Sequence, residues 1–447
     1  MKVSLIMVRP VHSSYGIFSI APLGIIYLAT LLNGKGYSVT VYDEARHHIF
    51  NEKKGWINPE LLDSDFIGVS VISPAARRAL HLLQIVKMKK PQTRLAAGGP
   101  HVLGNEQARE FLQYADAVVQ KEAEGVIEDV VRGQMQGIIS GPRIENLDTL
   151  PVPDLNLMAG ARKSWTDFFK LTPITSARGC PRNCEFCTVS NIHGKKVRRR
   201  SPELVMEELR LRKEEGYRRI FFADDNFSVQ PARRIPLLKA MIREKEKRSW
   251  FQSIIVQDEV PGILRGGKEY VRMMKKAGIA TVMLGVESFD DQKLRALHKE
   301  HSKTDSEKAI HLLRQEGLII YAFGMARPES DDKKSIRDQF KKLRREGVTY
   351  ADMTIETPFP GTPYWEKYKD QLIATRNGFP DWDKWTLLTP VIPTKNLSPG
   401  AFQKEVKKNM QRFYSPSRAL GRIFRGRIRS GLTMLFVWFT AGKMYSS

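Results

Sequence analysis

The residues best suited to chemistry stand together in the stretch GCPRNCEFC at 179–187, where Cys180, Cys184 and Cys187 follow a C-x3-C-x2-C spacing. They are the only three cysteines among 447 residues. None is left for a disulfide framework, so the pattern predicts a reducing compartment and a metal or redox site. Thiolates are soft ligands that suit iron–sulfur clusters or zinc. Three ligands on a four-iron cluster leave one iron open to a substrate or cofactor. A closed zinc site needs a fourth ligand, for which His193 is the nearest candidate.

A compact loop of this kind needs a scaffold. Strand patterns at 2–8, 37–43, 66–73, 94–99 and 115–120 alternate with helical patterns at 21–34, 75–90 and 123–134. That alternation predicts an open, doubly wound parallel sheet over 1–143. The stretch 144–168 is poor in periodicity, holds Pro151 and Pro153, and reads as a linker. A second alternation follows over 169–375. Strands are expected near 174–177, 218–224, 250–257, 280–288, 318–326 and 348–358, with helices between them. Six β–α units predict an incomplete parallel barrel rather than a closed one of eight, and the cysteines fall on the loop after its first strand, at the mouth where barrel chemistry occurs. The region 376–447 lacks this rhythm. The fold class expected is therefore α/β: a doubly wound sheet, a partial (β/α)6 barrel and a basic helical tail.

With Phe186 before the last cysteine, Cys180, Cys184 and Cys187 resemble the radical S-adenosylmethionine (SAM) superfamily motif. The resemblance implies a [4Fe-4S] cluster whose open iron binds SAM. An electron from an external one-electron reductant then cleaves SAM to methionine and a 5′-deoxyadenosyl radical, which abstracts a substrate hydrogen atom. FADDNF at 222–227 resembles the segment that contacts the SAM amino group, through Asp224, Asp225 and Asn226. GVES at 285–288 resembles another SAM-contacting segment, through Gly285, Glu287 and Ser288. These acids could equally cap helices at strand–helix turns. TPFPGTPYW at 357–365 is similar to a segment of the cobalamin-binding subfamily, and its Pro and Gly residues read as turn formers.

The first module resembles the cobalamin-binding domain fused to many radical SAM enzymes. The matching pieces are PLGIIYLA at 22–29, VTVYD at 39–43, GVS at 68–70, AGGPH at 97–101 and KEAEG at 121–125. The resemblance implies cobalamin contacts at Ser70, Ser73, Gly98, Gly99, Pro100, His101 and Glu122. A tight turn after a strand is the plainer account of Gly98 and Gly99. The D-x-H-x-x-G motif that ligates cobalt in some such domains is absent, because Asp43, His47 and His48 are misspaced for it.

The resemblance implies a C-methyltransferase acting on an unactivated carbon, with a methyl group supplied by methylcobalamin and a second SAM remethylating the cobalt. Cyclisation, rearrangement or carbon–carbon coupling are variants on the same parts. A tRNA-modifying methylthiotransferase is disfavoured because such enzymes usually hold a second cluster on three further cysteines. A non-enzymatic protein with a structural metal remains the alternative of a different class.

Lys+Arg 72 against Asp+Glu 49 gives a net charge of +23, which favours anionic partners without choosing among them. Hydrophobic residues at 42% and charged ones at 27% exclude wholesale disorder and a polytopic membrane protein. Residues 1–8 lack signal-peptide features, and no run of about 20 apolar residues predicts a transmembrane helix. On a helical wheel Arg418, Arg422, Arg425 and Arg429 share one face, with Leu420, Phe424, Ile428, Leu432, Leu435 and Phe439 on another. Such a helix either lies in a membrane interface or docks on the body of the protein. The expected partner is a small, lipid-like molecule rather than nucleic acid, in a cytoplasmic protein peripheral to the inner face of the membrane.

Overall fold

The computed structural model describes residues 1–10, 20–52, 54–160, 170–247, 249–424 and 431–435. The chain forms two compact units, one of residues 1–182, 187–223 and 359–366, the other of 183–186, 224–358 and 367–447.

The first unit begins with β1 (Lys2–Met7), α1 (Leu23–Gly34), β2 (Ser38–Asp43), β3 (Phe66–Ser70), α2 (Ala76–Lys89), β4 (Arg94–Gly98), α3 (Asn105–Leu112), β5 (Ala117–Lys121), α4 (Ile127–Arg132) and β6 (Gly137–Gly141). The strands are parallel in the order β2-β1-β3-β4-β5-β6. Val3, Leu5, Ile26, Val39, Val41 and Phe66 share one buried cluster with α4 residues Val130 and Val131. Strands covered on both faces read as continuous apolar runs, which is why β1 was legible as KVSLIMV. The edge strand β6 was not expected. Its two isoleucines are framed by glycines, and Gly137 sits at φ +77°, so the stretch reads as a turn. The expected linker is packed: Leu155 and Met158 join the core, and Met158 bridges Val41 in parallel.

The same unit continues with β7 (Leu171–Ile174), α5 (Val189–His193), α6 (Pro202–Glu214) and β8 (Arg219–Phe222), with β7 and β8 paired in parallel. Between β7 and α6, Ala177–Arg178 pairs antiparallel with Arg198–Arg199, closing a hairpin around the cysteine segment. Ser201 caps α6 ahead of Pro202, a combination that starts helices.

The second unit holds α7 (Pro231–Lys247), β9 (Ser253–Glu259), α8 (Val260–Lys276), β10 (Ile279–Glu287), α9 (Asp291–Ala296), α10 (Lys303–Gln315), β11 (Ile319–Ala326), α11 (Lys333–Arg345) and β12 (Tyr350–Ile355). Its strands are parallel in the order β12-β11-β10-β9. Helix α8 starts directly after β9, at Val260. Gly262, Gly266 and Gly267 mask its first turns, and Gly267 kinks it at φ +65°. The described residues of the region that showed no rhythm include α12 (Pro399–Phe413) and α13 (Pro416–Phe424). Phe402, Val406, Met410 and Phe413 are buried, and the Tyr414 hydroxyl donates to Ala351 O at 2.7 Å and accepts from its N–H at 2.9 Å. The α/β class with parallel sheets is as expected.

Of the basic tail, Arg425, Ile428, Arg429 and Phe439 lie outside the described residues. Arg418 donates to Phe413 O and Val348 O, and Arg422 to Thr349 Oγ1, so these two arginines face the protein. Leu420, Phe424 and Leu432 are exposed. No helix among the described residues is long and apolar enough to cross a membrane.

Candidate functional site

In the first unit the cysteine segment leaves its hairpin through Gly179, at φ +96°. A Cβ there would stand 2.3 Å from Lys196 O, so the close approach of the two arms requires glycine. Cys180 N donates to Gly194 O at 3.1 Å. The hairpin is tied to the KEAEG segment after β5 by buried charge. Arg178 pairs with Glu124 at 2.7 Å. Arg198 grips both Glu122 oxygens, at 2.6 and 2.8 Å. Glu122 also accepts from Ile144 N at 2.8 Å and lies 2.8 Å from His193 Nδ1. Burial would raise the Glu122 pKa, but the hydrogen bonds from Arg198, His193 and Ile144 outweigh it and hold the carboxyl well below its usual range. Glu122, expected toward cobalamin, and His193, the candidate fourth zinc ligand, are thus engaged with one another.

The three thiols form no disulfide and are each partly exposed. Soft donors at this spacing fit an iron–sulfur cluster. Among the described residues no group of three or more His, Cys, Asp or Glu side chains is gathered to hold a metal ion, so the fit rests on donor type and spacing.

The second unit contains Asn183–Phe186 of the same loop. Arg327, directly after β11, donates to Glu185 at 2.8 Å, to Glu356 at 2.6 Å and to Glu329 at 2.7 Å. Lys299 lies 5.4 Å from the centre of the Phe186 ring and pairs with Glu287 at 2.9 Å. A register shift between Gly285 and Glu287 marks a bulge at the end of β10, and Glu287 sits at φ +55°. Bulges re-aim side chains, and this one belongs to the segment nominated from sequence. Gly285 keeps the approach open, since a Cβ there would be 3.1 Å from Glu287 Oε1. Ser288 is buried and accepts from Asp290 N at 3.1 Å, a turn-capping role.

Asp224 is fully buried and paired with Arg234 at 2.5 Å, while Arg234 Nε donates to Phe227 O at 2.6 Å. Asp225 is half-buried. Asn226 is buried, and its Oδ1 has no hydrogen-bond partner among the described residues. Of the three it therefore retains an acceptor to offer. Asp258, at the end of β9, accepts from Ser228 N at 3.1 Å, from the Ser228 hydroxyl and from Glu259 N at 2.9 Å. Burial pushes its carboxyl up to about 7. Burial likewise pushes Glu356 up to about 8, against the pull of Arg327. Arg327, Lys299, Asp258 and Glu356 were missed from sequence. Arg327, Asp258 and Glu356 lie at or directly beyond the C-terminal end of a barrel strand, the one signal that could have found them, whereas Lys299 follows α9 and carries no such mark.

At the first sheet, Ser70, Gly98, Gly99 and Pro100 are half-buried at the C-terminal ends of β3 and β4. Gly99 sits at φ +100°, where a Cβ would come within 2.7 Å of Val71 O. His101 and Ser73 are buried together, His101 Nδ1 3.1 Å from Ser73 Oγ, and burial pushes the imidazole down to about 3, keeping it neutral. Asp43 is spent on Arg9, at 2.8 and 2.9 Å, and His47 Nε2 lies 2.5 Å from Ala159 O. In the TPFPGTPYW stretch, Thr362 donates to Phe359 O at 2.7 Å and accepts from Trp365 N, which makes it a turn.

Residues 174–338 match the radical SAM superfamily. Over 89% of its length the chain is 27% identical to an uncharacterized methyltransferase of Pyrococcus horikoshii, 89% of which is covered. It is 25% identical over 94% of its length to the bacteriochlorophyllide d C-12(1)-methyltransferase of Chlorobaculum tepidum, covering 86% of that protein. The structure superposes with a TM-score of 0.69 on the radical SAM methyltransferase TsrM from Kitasatospora setae, solved with cobalamin and a [4Fe-4S] cluster bound. That match is 14% identical and spans 98% of this chain and 99% of TsrM.

Proposed function

We propose that the chain, whose residues 174–338 match the radical SAM superfamily, is a cobalamin-dependent radical SAM enzyme that methylates an unactivated carbon of a hydrophobic, lipid-like substrate. The observation that carries this reading is the pairing, in one chain, of two parts. One is the three-cysteine loop after the first barrel strand. The other is a parallel sheet in the order β2-β1-β3-β4-β5-β6, which switches direction beside β1 and leaves small residues at its strand ends. Similarity along most of the chain to a methyltransferase of bacteriochlorophyllide d supports both the reaction and the apolar character of the acceptor.

When bound, the cluster, SAM and cobalamin would supply the radical and the methyl group. Cys180, Cys184 and Cys187 would hold the cluster. Asn226, with its buried free acceptor, is the strongest of the candidates for the SAM ammonium, with Asp225 beside it; Asp224 would act by fixing the segment through Arg234. Phe186, Gly285, Glu287 and Ser288 line the other proposed SAM contacts. Ser70, Gly98, Gly99 and Pro100 would face the cobalamin tail, with Ser73 and His101 shaping the turn beneath them. A soluble one-electron donor would deliver reducing equivalents, and the exposed Leu420, Phe424 and Leu432 would bring a cytoplasmic enzyme to the membrane that carries its substrate.

The test is anaerobic reconstitution with iron, sulfide and hydroxocobalamin, followed by desalting and joint measurement of iron, cobalt and zinc. About four irons and one cobalt per chain are expected. Iron without cobalt would leave a radical SAM enzyme and redirect the product search to cyclisation or rearrangement. Zinc without iron would overturn the enzymatic reading.

A further inference from the structure

We propose that Arg327 is a positioning residue that fixes the cluster-binding loop through Glu185. The inference rests on reading Cys180, Cys184 and Cys187 as cluster ligands, and it adds what holds the middle ligand in place. Residues 181–184, which lead to that ligand, adopt no helix or strand. Glu185, the neighbour of Cys184, is anchored. The Arg327 guanidinium is 4% exposed and takes Glu185 at 2.8 Å from one side and Glu356 at 2.6 Å from another. Its own backbone N–H is held by Asp331 Oδ2 at 2.7 Å, which sets the base of the side chain. Arg327 follows the last residue of β11 directly, and Glu356 follows the last residue of β12. The charge that reaches the loop therefore stands on two adjacent strand ends.

Two further contacts act on residues 183–186. Lys299, paired with Glu287, lies against the Phe186 ring, and His298 Nδ1 is 3.3 Å from Asn183 O. The residues on both sides of Cys184 are thus held from the end of β11 and from the turn after α9. Side chains that orient the shell around a metal ligand commonly change metal affinity by 10–100-fold when lost.

The test uses the full chain reconstituted with iron and sulfide alone. Four readouts apply: iron per chain, the rate of iron loss to a chelator, the electron paramagnetic resonance spectrum of the reduced cluster, and the melting temperature. Glu185→Gln should remain folded, lose iron roughly tenfold faster or more, and shift the spectrum. Arg327→Lys should recover part of the effect of Arg327→Met, since one of the fork's bonds survives. Glu329→Gln removes an Arg327 partner outside the loop and should leave the spectrum and the iron-loss rate at wild-type values. A folded Glu185→Gln protein with wild-type iron retention and spectrum would overturn the proposal, even if Arg327→Met fails to fold. Absence of iron from the wild-type protein would overturn instead the reading of the cysteines on which it rests.

Discussion

Arg198 meets Glu122 through both of its terminal nitrogens, at 2.6 and 2.8 Å, with side chains only 2% and 1% exposed. The pair joins the hairpin that closes the cysteine segment to the loop after β5. Removing one partner of a buried pair costs up to about 3–5 kcal/mol, and here Ile144 N–H and His193 still meet Glu122. Arg198→Met is therefore expected to lower the stability by less than that amount, and the double variant Arg198→Met with Glu122→Leu to lose less than the sum of the two single changes. Chemical denaturation of the wild type, the two single variants and the double variant checks this. Additive losses would show that the pair contributes nothing as a pair.

Gly98 and Gly99 separate turn geometry from ligand contact. At Gly99 an added Cβ meets backbone at 2.7 Å in a left-handed conformation, whereas at Gly98 the nearest atom is Val119 O at 3.4 Å. Gly99→Ala is expected to destabilise by at least about 1–3 kcal/mol. Gly98→Ala should fold with nearly wild-type stability and retain less cobalt after reconstitution, because its methyl group would project where the cobalamin tail is proposed to pass. Equal cobalt retention in Gly98→Ala and wild type would remove Gly98 from the proposed contacts.

Asp258 provides a pH test. Its native carboxyl is pushed up to about 7 from the ordinary 3.8, chiefly by burial. Between those values the folded protein binds more protons than the unfolded chain, so stability from this group is full below 3.8 and declines as pH rises to about 7. Asp258→Asn abolishes this titration and keeps one oxygen for the Ser228 and Glu259 donors. Its melting temperature relative to wild type should climb across that window and level off above it. Parallel curves from pH 4 to 8 would mean that Asp258 titrates alike in both states, against the linkage expected.

How legible the molecule was depends on the range of the interaction. The cysteine loop and the apolar strands β1, β10 and β11 announce themselves locally, through spacing and continuous burial. Helix α8 does not, because its first turns carry three glycines and their stability comes from packing: Gly262 lets the helix approach Ser228 O, where a Cβ would be 2.5 Å away. Helix α12 carried a readable start in Ser398 and Pro399, but its lysine-rich face hides the buried Phe402, Val406 and Met410. The site's ion pairs were the least legible. Glu122 and Arg198 are 76 residues apart, and Glu185 and Arg327 are 142 apart. No period links such positions, and one arginine among 72 basic residues carries no mark of its partner. What could be read was the strand end on which each charge would stand.

The two faces of the tail helix sharpen the membrane test. Arg418 and Arg422 are turned toward Val348 and Thr349, and Ala419 is fully buried. Leu420 is 45% exposed and Phe424 86% exposed. A helix docked by its basic face with apolar side chains outward can add those side chains to an interface, at about 1.5–3 kcal/mol for each one fully buried. The excess charge of +23 adds attraction to anionic headgroups. The protein is therefore expected to float with vesicles containing anionic lipid. The double variant Leu420→Asp with Phe424→Asp should bind them at least about tenfold more weakly while melting at the wild-type temperature. Both positions are exposed, so the substitutions leave the docked arginines and Ala419 untouched. Unchanged vesicle binding by a folded variant would assign any lipid affinity to net charge alone and withdraw the apolar contact. Dissociation of a dimer in place of lost vesicle binding would identify the exposed pair as a contact between copies of the chain.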